Sequence, residues 1–220
     1  MTDRSAAIAA TEEGSPGFWR RLVTRFRPGP IETAGAFTKF VEERASLIAQ
    51  KCAVDYCRGK TGLASYALFT EKPFLDAFEI CRWESFAAVL GDLFIVAEGY
   101  LRPHVAPQAQ EALHANLVRR YTAILAGMPY PVHRPHGWDD AVASFTLRLQ
   151  SAMSGKPRQA LDVADHSAKT LFDTLPIHSR MRELDEEVVY GAVRFRMIAV
   201  SQEMQRRFNS AAIARALLEA

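Results

Sequence analysis

The sequence predicts an all-α protein, a single irregular bundle of about six or seven helices around a central hydrophobic helix. Residues 71–103 carry apolar side chains on every face of a helix, which is typical of a helix buried in a core. Several other segments carry apolar side chains at helical spacing. No stretch of a strand's length alternates β-branched with polar residues, so we expect no sheet.

The composition restricts the class of protein without identifying it. With 220 residues, of which 49% are hydrophobic, the chain is long enough to bury one sizeable core. We therefore predict a flexible tail over residues 1–30 and one helical bundle domain over residues 31–220. The 27 basic and 25 acidic residues leave a net charge of only +2, so we expect no nucleic-acid partner.

The N-terminus and the cysteines indicate a cytoplasmic protein. Asp3, Glu12 and Glu13 fall where a secretory signal peptide would need an apolar run. The cysteines are three in number and form no CxxC motif, which is typical of buried thiols in a reducing compartment. The predicted location is cytoplasmic, with peripheral association on the inner face of the membrane as a further possibility.

A short basic amphipathic segment occupies residues 18–27 of the predicted tail. As a helix it places Phe18, Leu22 and Phe26 in one line among four arginines, and a Pro-Gly-Pro sequence follows it. Three interpretations stay open: the segment binds an anionic membrane surface, docks in a partner's groove, or packs on its own bundle. The candidate contact residues are Phe18, Trp19, Arg20, Arg21, Leu22, Arg25, Phe26 and Arg27.

Helix start and stop signals divide the rest of the chain. Thr70 is a suitable N-cap for the central helix, and Asp139 can cap a later one. In the helix that follows Asp139, the predicted apolar line includes Ala143, Phe145, Leu147 and Leu149. We predict helices over residues 33–58, 71–103, 108–126, 139–153, up to about 172, and 185–208, with a short helix or turn at 63–69 and an irregular segment at 128–138.

The central helix carries acidic residues at positions that favour burial. Ala77, Glu84, Gly91 and Glu98 recur every seven residues, so small and acidic side chains alternate along one side. Small side chains allow a second helix to approach closely. A carboxylate carried into such a contact needs hydrogen bonds or a cation, because an unpaired buried charge is costly.

Basic residues on the first and last long helices are the predicted partners of these carboxylates. Arg44 and Lys51 project from the apolar face of the first helix, and Arg196 lies in the middle of the apolar face of the last. The set is interpreted either as an ion-pair network that fixes helix register or as a functional polar pocket. Its members are Arg44, Lys51, Glu84, Asp92, Glu98 and Arg196.

No motif in the sequence identifies a reaction, a metal or a cofactor. His133 and His136 form an HxxH motif that could join His104 or His114, but a structural zinc site needs three or four converging ligands. The prolines around the motif favour a stiff connector, so we predict no metal. The chain lacks GxSxG, GxxxxGK[ST] and GxGxxG sequences, and we identify no catalytic residue and predict no cofactor.

These observations predict a non-catalytic adaptor or assembly factor. We expect it to work at the cytoplasmic membrane surface or on a membrane-associated partner, because residues 18–27 combine arginines with an apolar line. The expected partner is a protein, with an anionic membrane surface as the other contact. The alternative is a bundle that binds a small apolar or acidic ligand beside the charged network. An enzyme is one form of this alternative.

Overall fold

Helices form nearly all the regular structure of residues 29–219, the part of the chain that the computed structural model describes. The predicted all-α bundle is therefore confirmed. Residues 18–27 lie outside the described residues, and their three interpretations stay predictions. The α-helices are α1 (Ala34–Thr61), α2 (Ser65–Leu68), α3 (Lys72–Leu101), α4 (Gln110–Ala126), α5 (Asp139–Met153), α6 (Ala160–Thr174), α7 (Ser179–Arg182), α8 (Glu186–Arg207) and α9 (Ser210–Leu218).

The α3 helix is buried on all sides over much of its length. Every residue from Ser85 to Glu98 is buried, which explains why apolar side chains occur on each of its faces. The helices α1 and α6 make the most extensive contacts with α3, and α4, α5, α8 and α9 also touch it. Within residues 29–219, no helix combines the length and the apolar character that crossing a bilayer requires.

The start of the described chain is fixed to the C-terminal end of α8. The backbone N–H of Ile31 donates to the carbonyl oxygen of Arg207 at 2.7 Å, and the N–H of Asn209 donates to the carbonyl oxygen of Ile31 at 3.0 Å. The Phe208 ring packs edge-on against Phe37, with ring centroids 5.6 Å apart. The chain therefore enters the bundle at a defined point beside the last turn of α8.

Local side-chain chemistry sets several helix ends. The Thr33 hydroxyl accepts a hydrogen bond from a backbone N–H in the first turn of α1, as an N-cap does. Gly62 ends α1 with a φ of 54°, a conformation that side chains disfavour. The predicted cap of α3 was wrong by one residue: Glu71 holds the N-cap position, while the Thr70 hydroxyl donates to the carbonyl oxygen of Ala67 at 2.6 Å.

Candidate functional site

Three carboxylates of α3, those of Glu84, Asp92 and Glu98, point into the bundle, and each forms an ion pair with an arginine. We call them the α3 carboxylates. The side chains of Asp92 and Glu98 have no exposed surface, and that of Glu84 is 18% exposed. Each carboxylate thus has the basic partner that burial requires.

Glu98 is paired with Arg102, one helical turn further along the chain. Arg102 donates from Nε to Oε1 of Glu98 at 2.6 Å and from Nη2 to Oε2 at 2.7 Å. The same guanidinium donates to the carbonyl oxygens of Ala152 at 3.0 Å and Gly155 at 2.5 Å. Hydrogen bonding to Glu98 raises the pKa of Arg102. The pair therefore ties the C-terminal end of α3 to that of α5.

Asp92 joins three helices at one point. Its carboxylate forms an ion pair with Arg148 of α5 and accepts a hydrogen bond from the backbone N–H of Ser167 in α6 at 3.1 Å. Burial raises the pKa of Asp92 to about 6, although Arg148 and Ser167 act in the opposite direction. Burial therefore disfavours the charged form of Asp92 by more than Arg148 and Ser167 stabilise it.

Glu84 fixes the irregular segment between α4 and α5. Arg134 donates from Nε to Oε1 of Glu84 at 2.7 Å and from Nη2 to Oε2 at 2.6 Å, and Nε2 of His133 lies 2.8 Å from Oε1. Burial alone would raise the pKa of Glu84, but hydrogen bonds from Arg134 and His133 lower it. Arg134 also pairs with Asp140 and lies 4.6 Å from the centroid of the Trp138 ring. The segment is thus held by charge as well as by its prolines.

The predicted partners of the α3 carboxylates were wrong. Arg44 pairs with Glu203, with an Nη2–Oε1 distance of 2.7 Å, and Arg196 pairs with Asp55 at 2.7 Å. Lys51 is exposed and lies 3.6 Å from Asp55. The reason is that α1 packs on both α3 and α8, and Arg44 and Asp55 lie on the side of α1 that faces α8, where they meet Glu203 and Arg196.

The arginines that do pair with α3 were missed. Only Arg102 gave a sequence signal, since it follows Glu98 by four residues and the two share a helical face. Arg134 lies 50 residues from Glu84, and Arg148 lies 56 residues from Asp92. Hydrophobic periodicity is a local property and carries no information about such distant pairs.

A polar cleft lies between α3, α5 and α6. Two adjoining depressions, of about 160 and 230 Å³, share Arg148 and His166 in their walls. His166 is exposed, yet desolvation by the surrounding atoms, together with the charge of Arg148, lowers its pKa to about 4. It is therefore neutral near pH 7 and can accept or donate a hydrogen bond. Arg158 and Asp162 both line the larger depression, so the cleft offers cationic as well as anionic side chains to a small polar ligand.

The α8 helix carries apolar residues on its outward face as well as on its inward face. Val188 is 63%, Phe195 73% and Ile198 36% exposed, and Gly191 lies between them at the surface. We call these four residues the outer α8 stripe. Beside it, a mainly apolar groove of about 470 Å³ runs between α3, residues 157–161 and α8, with Ile198 in its wall. Exposed apolar residues that are contiguous are typical of a binding surface.

The cysteines and histidines of the described residues show no arrangement that suggests catalysis or metal binding. All three cysteines are buried and unbridged, as expected, and burial raises the pKa of Cys57 to about 12 and that of Cys52 to about 11. Thiols of this kind are poor nucleophiles. Within residues 29–219, no three His, Cys, Asp or Glu side chains are grouped so that they could hold a metal ion.

The geometry thus offers a set of buried ion pairs, a polar cleft and an apolar outward face on α8, while the predicted contact residues of segment 18–27 lie outside the described part of the chain. We compared the chain with protein-family models, with curated proteins and with solved structures. None of the three comparisons found a match.

Proposed function

We propose that the protein is a non-catalytic adaptor or assembly factor that works at a membrane surface or on a membrane-associated partner. The observation that carries the proposal is the sequence of residues 18–27, in which four arginines surround the apolar line of Phe18, Leu22 and Phe26. Arginines attract anionic headgroups, and aromatic and leucine side chains insert at the boundary of the acyl chains.

The way the bundle holds the residues that come after segment 18–27 supports this proposal. Nε of Arg207 donates to the carbonyl oxygen of Gly29 at 3.3 Å, and Ile31 is hydrogen-bonded to the end of α8. Gly29, which follows Arg27 by two residues in sequence, is therefore held at a defined point of the bundle surface. Arg206, which is exposed in the last turn of α8, adds positive charge near this point. A bilayer contact here would bring the bundle close to the headgroups.

Physical chemistry limits how strong such an anchor can be. Ten residues form a marginal helix in water, and one short amphipathic segment binds a bilayer reversibly. Each basic residue near an anionic surface contributes about 1 kcal/mol, and salt screens this contribution. We therefore expect weak, salt-sensitive binding that a partner protein at the membrane can strengthen.

Sedimentation with lipid vesicles tests the proposal. The intact chain should sediment with vesicles that contain phosphatidylglycerol, should bind less as the salt concentration rises, and should not sediment with vesicles of phosphatidylcholine alone. A chain starting at Ile31 should stay in the supernatant. A variant with Phe18, Leu22 and Phe26 changed to Ser, which keeps every arginine, separates insertion from charge attraction and should also lose binding. Equal binding by the intact and the shortened chain would refute the membrane contact.

The polar cleft favours a second candidate function, the binding of a small acidic ligand. Arg158 reaches the larger depression and has no ion-pair partner among residues 29–219, and Arg148 stands beside it. Phosphate and succinate are suitable probes, because both match an arginine-lined site. Shifts of nearby backbone amide resonances that saturate in the intact protein and vanish in Arg158→Gln would support this function. Resonances that do not change at millimolar probe would exclude it.

A further inference from the structure

The α8 helix carries apolar residues on two opposite faces. Its inward face consists of Val189, Val193, Met197, Val200 and Met204, all of which are buried. The outer α8 stripe lies on the other side of the helix, because its members fall about 140–220° from Val193 at 100° per residue. A surface helix of a bundle needs only the inward stripe, so the outward one indicates a second contact.

The spacing of the outer α8 stripe is that of a helix pair. Val188, Gly191, Phe195 and Ile198 follow each other by steps of three, four and three residues, the repeat that keeps one seam facing a partner helix. Leu184, which precedes α8 and is 93% exposed, continues the same spacing. The partner that fits this seam is therefore another α-helix.

The stripe is complementary to itself when two copies of α8 run antiparallel. If the two-fold axis passes at the level of Val193, Val188 of one copy lies opposite Ile198 of the other. Gly191 of one copy then lies opposite Phe195 of the other, so the largest side chain of the stripe faces the residue without one. A Cβ atom added at Gly191 would meet no atom within 4 Å, so space for the phenyl ring is open. A parallel pair would instead set Phe195 against Phe195 and Gly191 against Gly191.

Charge along α8 also favours the antiparallel arrangement. Its first turn is acidic, with Glu186 and Glu187, and its last turn is basic, with Arg206 and Arg207. Antiparallel helices bring each acidic end nearer to the basic end of the other copy and oppose the two helix dipoles. A parallel pair would place like charges side by side.

We propose that the protein forms a two-fold symmetric dimer through the outer α8 stripe, with the two α8 helices antiparallel and Phe195 of each copy packed over Gly191 of the other. The inference is independent of the proposed membrane contact, because it involves none of residues 18–27. One helix face with its flanking Leu184 and Leu161 makes an interface at the small end of the known range. The dimer is therefore concentration-dependent, with dissociation in the micromolar range.

Sedimentation velocity of the full chain over a range of concentrations tests the association. The intact protein should shift from monomer to dimer across the micromolar range, and Phe195→Glu should stay monomeric because it places a charge at the centre of the contact. Leu147→Glu is the matched control, since Leu147 is 67% exposed on α5 and lies outside the stripe. It should dimerise like the intact protein. Circular dichroism verifies that both variants keep their helices.

A monomeric intact chain at every concentration would overturn the proposal, and so would a dimer that Phe195→Glu leaves unchanged. Phe195→Ala gives a second reading that adds no charge. It should weaken the dimer by a factor of ten or more, because an aromatic residue at the centre of a small interface contributes much of its affinity.

A distance measurement tests the antiparallel arrangement. A spin label on Gln205→Cys, an exposed position beside the stripe, lies twelve residues from the level of the two-fold axis, so two labels should be about 36 Å apart along the helix axes. The native cysteines are buried and should not react with the label under native conditions. A separation close to 10 Å would indicate parallel helices and would overturn the proposed geometry.

Discussion

Arg102 connects a buried carboxylate of α3 with the C-terminal end of α5. It forms two hydrogen bonds to Glu98, whose side chain is fully buried, and donates to backbone carbonyls at the end of α5. Such a cation has two functions: it neutralises a buried carboxylate and it satisfies backbone acceptors at a helix end. In the sequence, only the four-residue spacing of Glu98 and Arg102 indicated this ion pair. The contacts of Arg102 with the end of α5 could not be deduced.

Removing the charge of Glu98 should destabilise the protein strongly. In Glu98→Gln the Arg102 guanidinium keeps its partly buried position but loses its counter-charge, and the free energy of unfolding should fall by on the order of 3–5 kcal/mol. The measurement is urea denaturation followed by circular dichroism. Asp76→Asn is the matched control, because the Lys72–Asp76 pair has the same spacing in α3 but is exposed.

The control should change the free energy of unfolding by no more than about 0–1 kcal/mol, as exposed ion pairs do. Similar, small losses in Glu98→Gln and Asp76→Asn would contradict the burial of Glu98.

The raised pKa of Asp92 predicts a specific dependence of stability on pH. Between about pH 4 and pH 6, the folded protein keeps a proton on Asp92 that the unfolded chain has already released. The free energy of unfolding of the unchanged protein should therefore fall, relative to that of Asp92→Asn, as the pH rises through this window. At about 1.4 kcal/mol per pKa unit, the relative change amounts to at most about 3 kcal/mol.

Urea denaturation of both proteins at several pH values between 3 and 7 measures this difference. Towards pH 3 the difference should level off, because residue 92 is then largely uncharged in both proteins and in both states. A difference that rises with pH across the window would contradict the raised pKa.

At the scale of helices, close packing around Gly91 determines how α5 lies on α3. A Cβ atom at this position would lie 3.1 Å from Cδ2 of Phe145 and 3.6 Å from Cε2 of Tyr121. The rings of Phe145 and Tyr121 stack with centroids 4.3 Å apart, so neither can move without disturbing the other. The small residue predicted on this side of α3 therefore serves a close helix contact.

A larger side chain at Gly91 should separate these helices. Gly91→Leu should lower the free energy of unfolding by about 1–3 kcal/mol or more, because the core has no space for the added atoms. The control is Gly59→Leu in α1, where an added Cβ meets nothing within 4 Å and the gain in helix propensity is up to about 1 kcal/mol. Thermal denaturation of both variants decides the question. Equal midpoints would mean that α5 does not contact Gly91 closely.

The sequence identified the helices well and their inward faces less well. In α5 the predicted apolar line contained Ala143 and Leu147, but both are exposed, and Leu147 is 67% exposed. The buried residues are Phe145, Leu149 and Ala152, which are spaced by four and three. The predicted line used steps of two, which do not remain on one side of a helix. The inward face of α5 was therefore predicted wrongly because the prediction followed a spacing of two residues, whereas one side of a helix repeats in steps of three and four.

At the scale of the whole molecule, the all-α class could be predicted but the neighbours of each helix could not. Composition and helical periodicity sufficed for the class, and the uniform hydrophobicity of residues 71–103 indicated the helix that is buried. That α6 packs on α3 while α8 packs mainly on α6 depends on connections and side-chain fit along the whole chain. For this reason the ion-pair partners of the α3 carboxylates were assigned to the wrong helices.

The most direct test of the central claim measures where the protein resides in cells. The account predicts that the intact chain partitions into the membrane fraction, because residues 18–27 bind the membrane surface or a partner that resides there. The chain that starts at Ile31, expressed to the same level, should be recovered in the soluble fraction with its helical spectrum unchanged. The same distribution of both chains between the two fractions would contradict the claim that residues 18–27 direct this protein to the membrane.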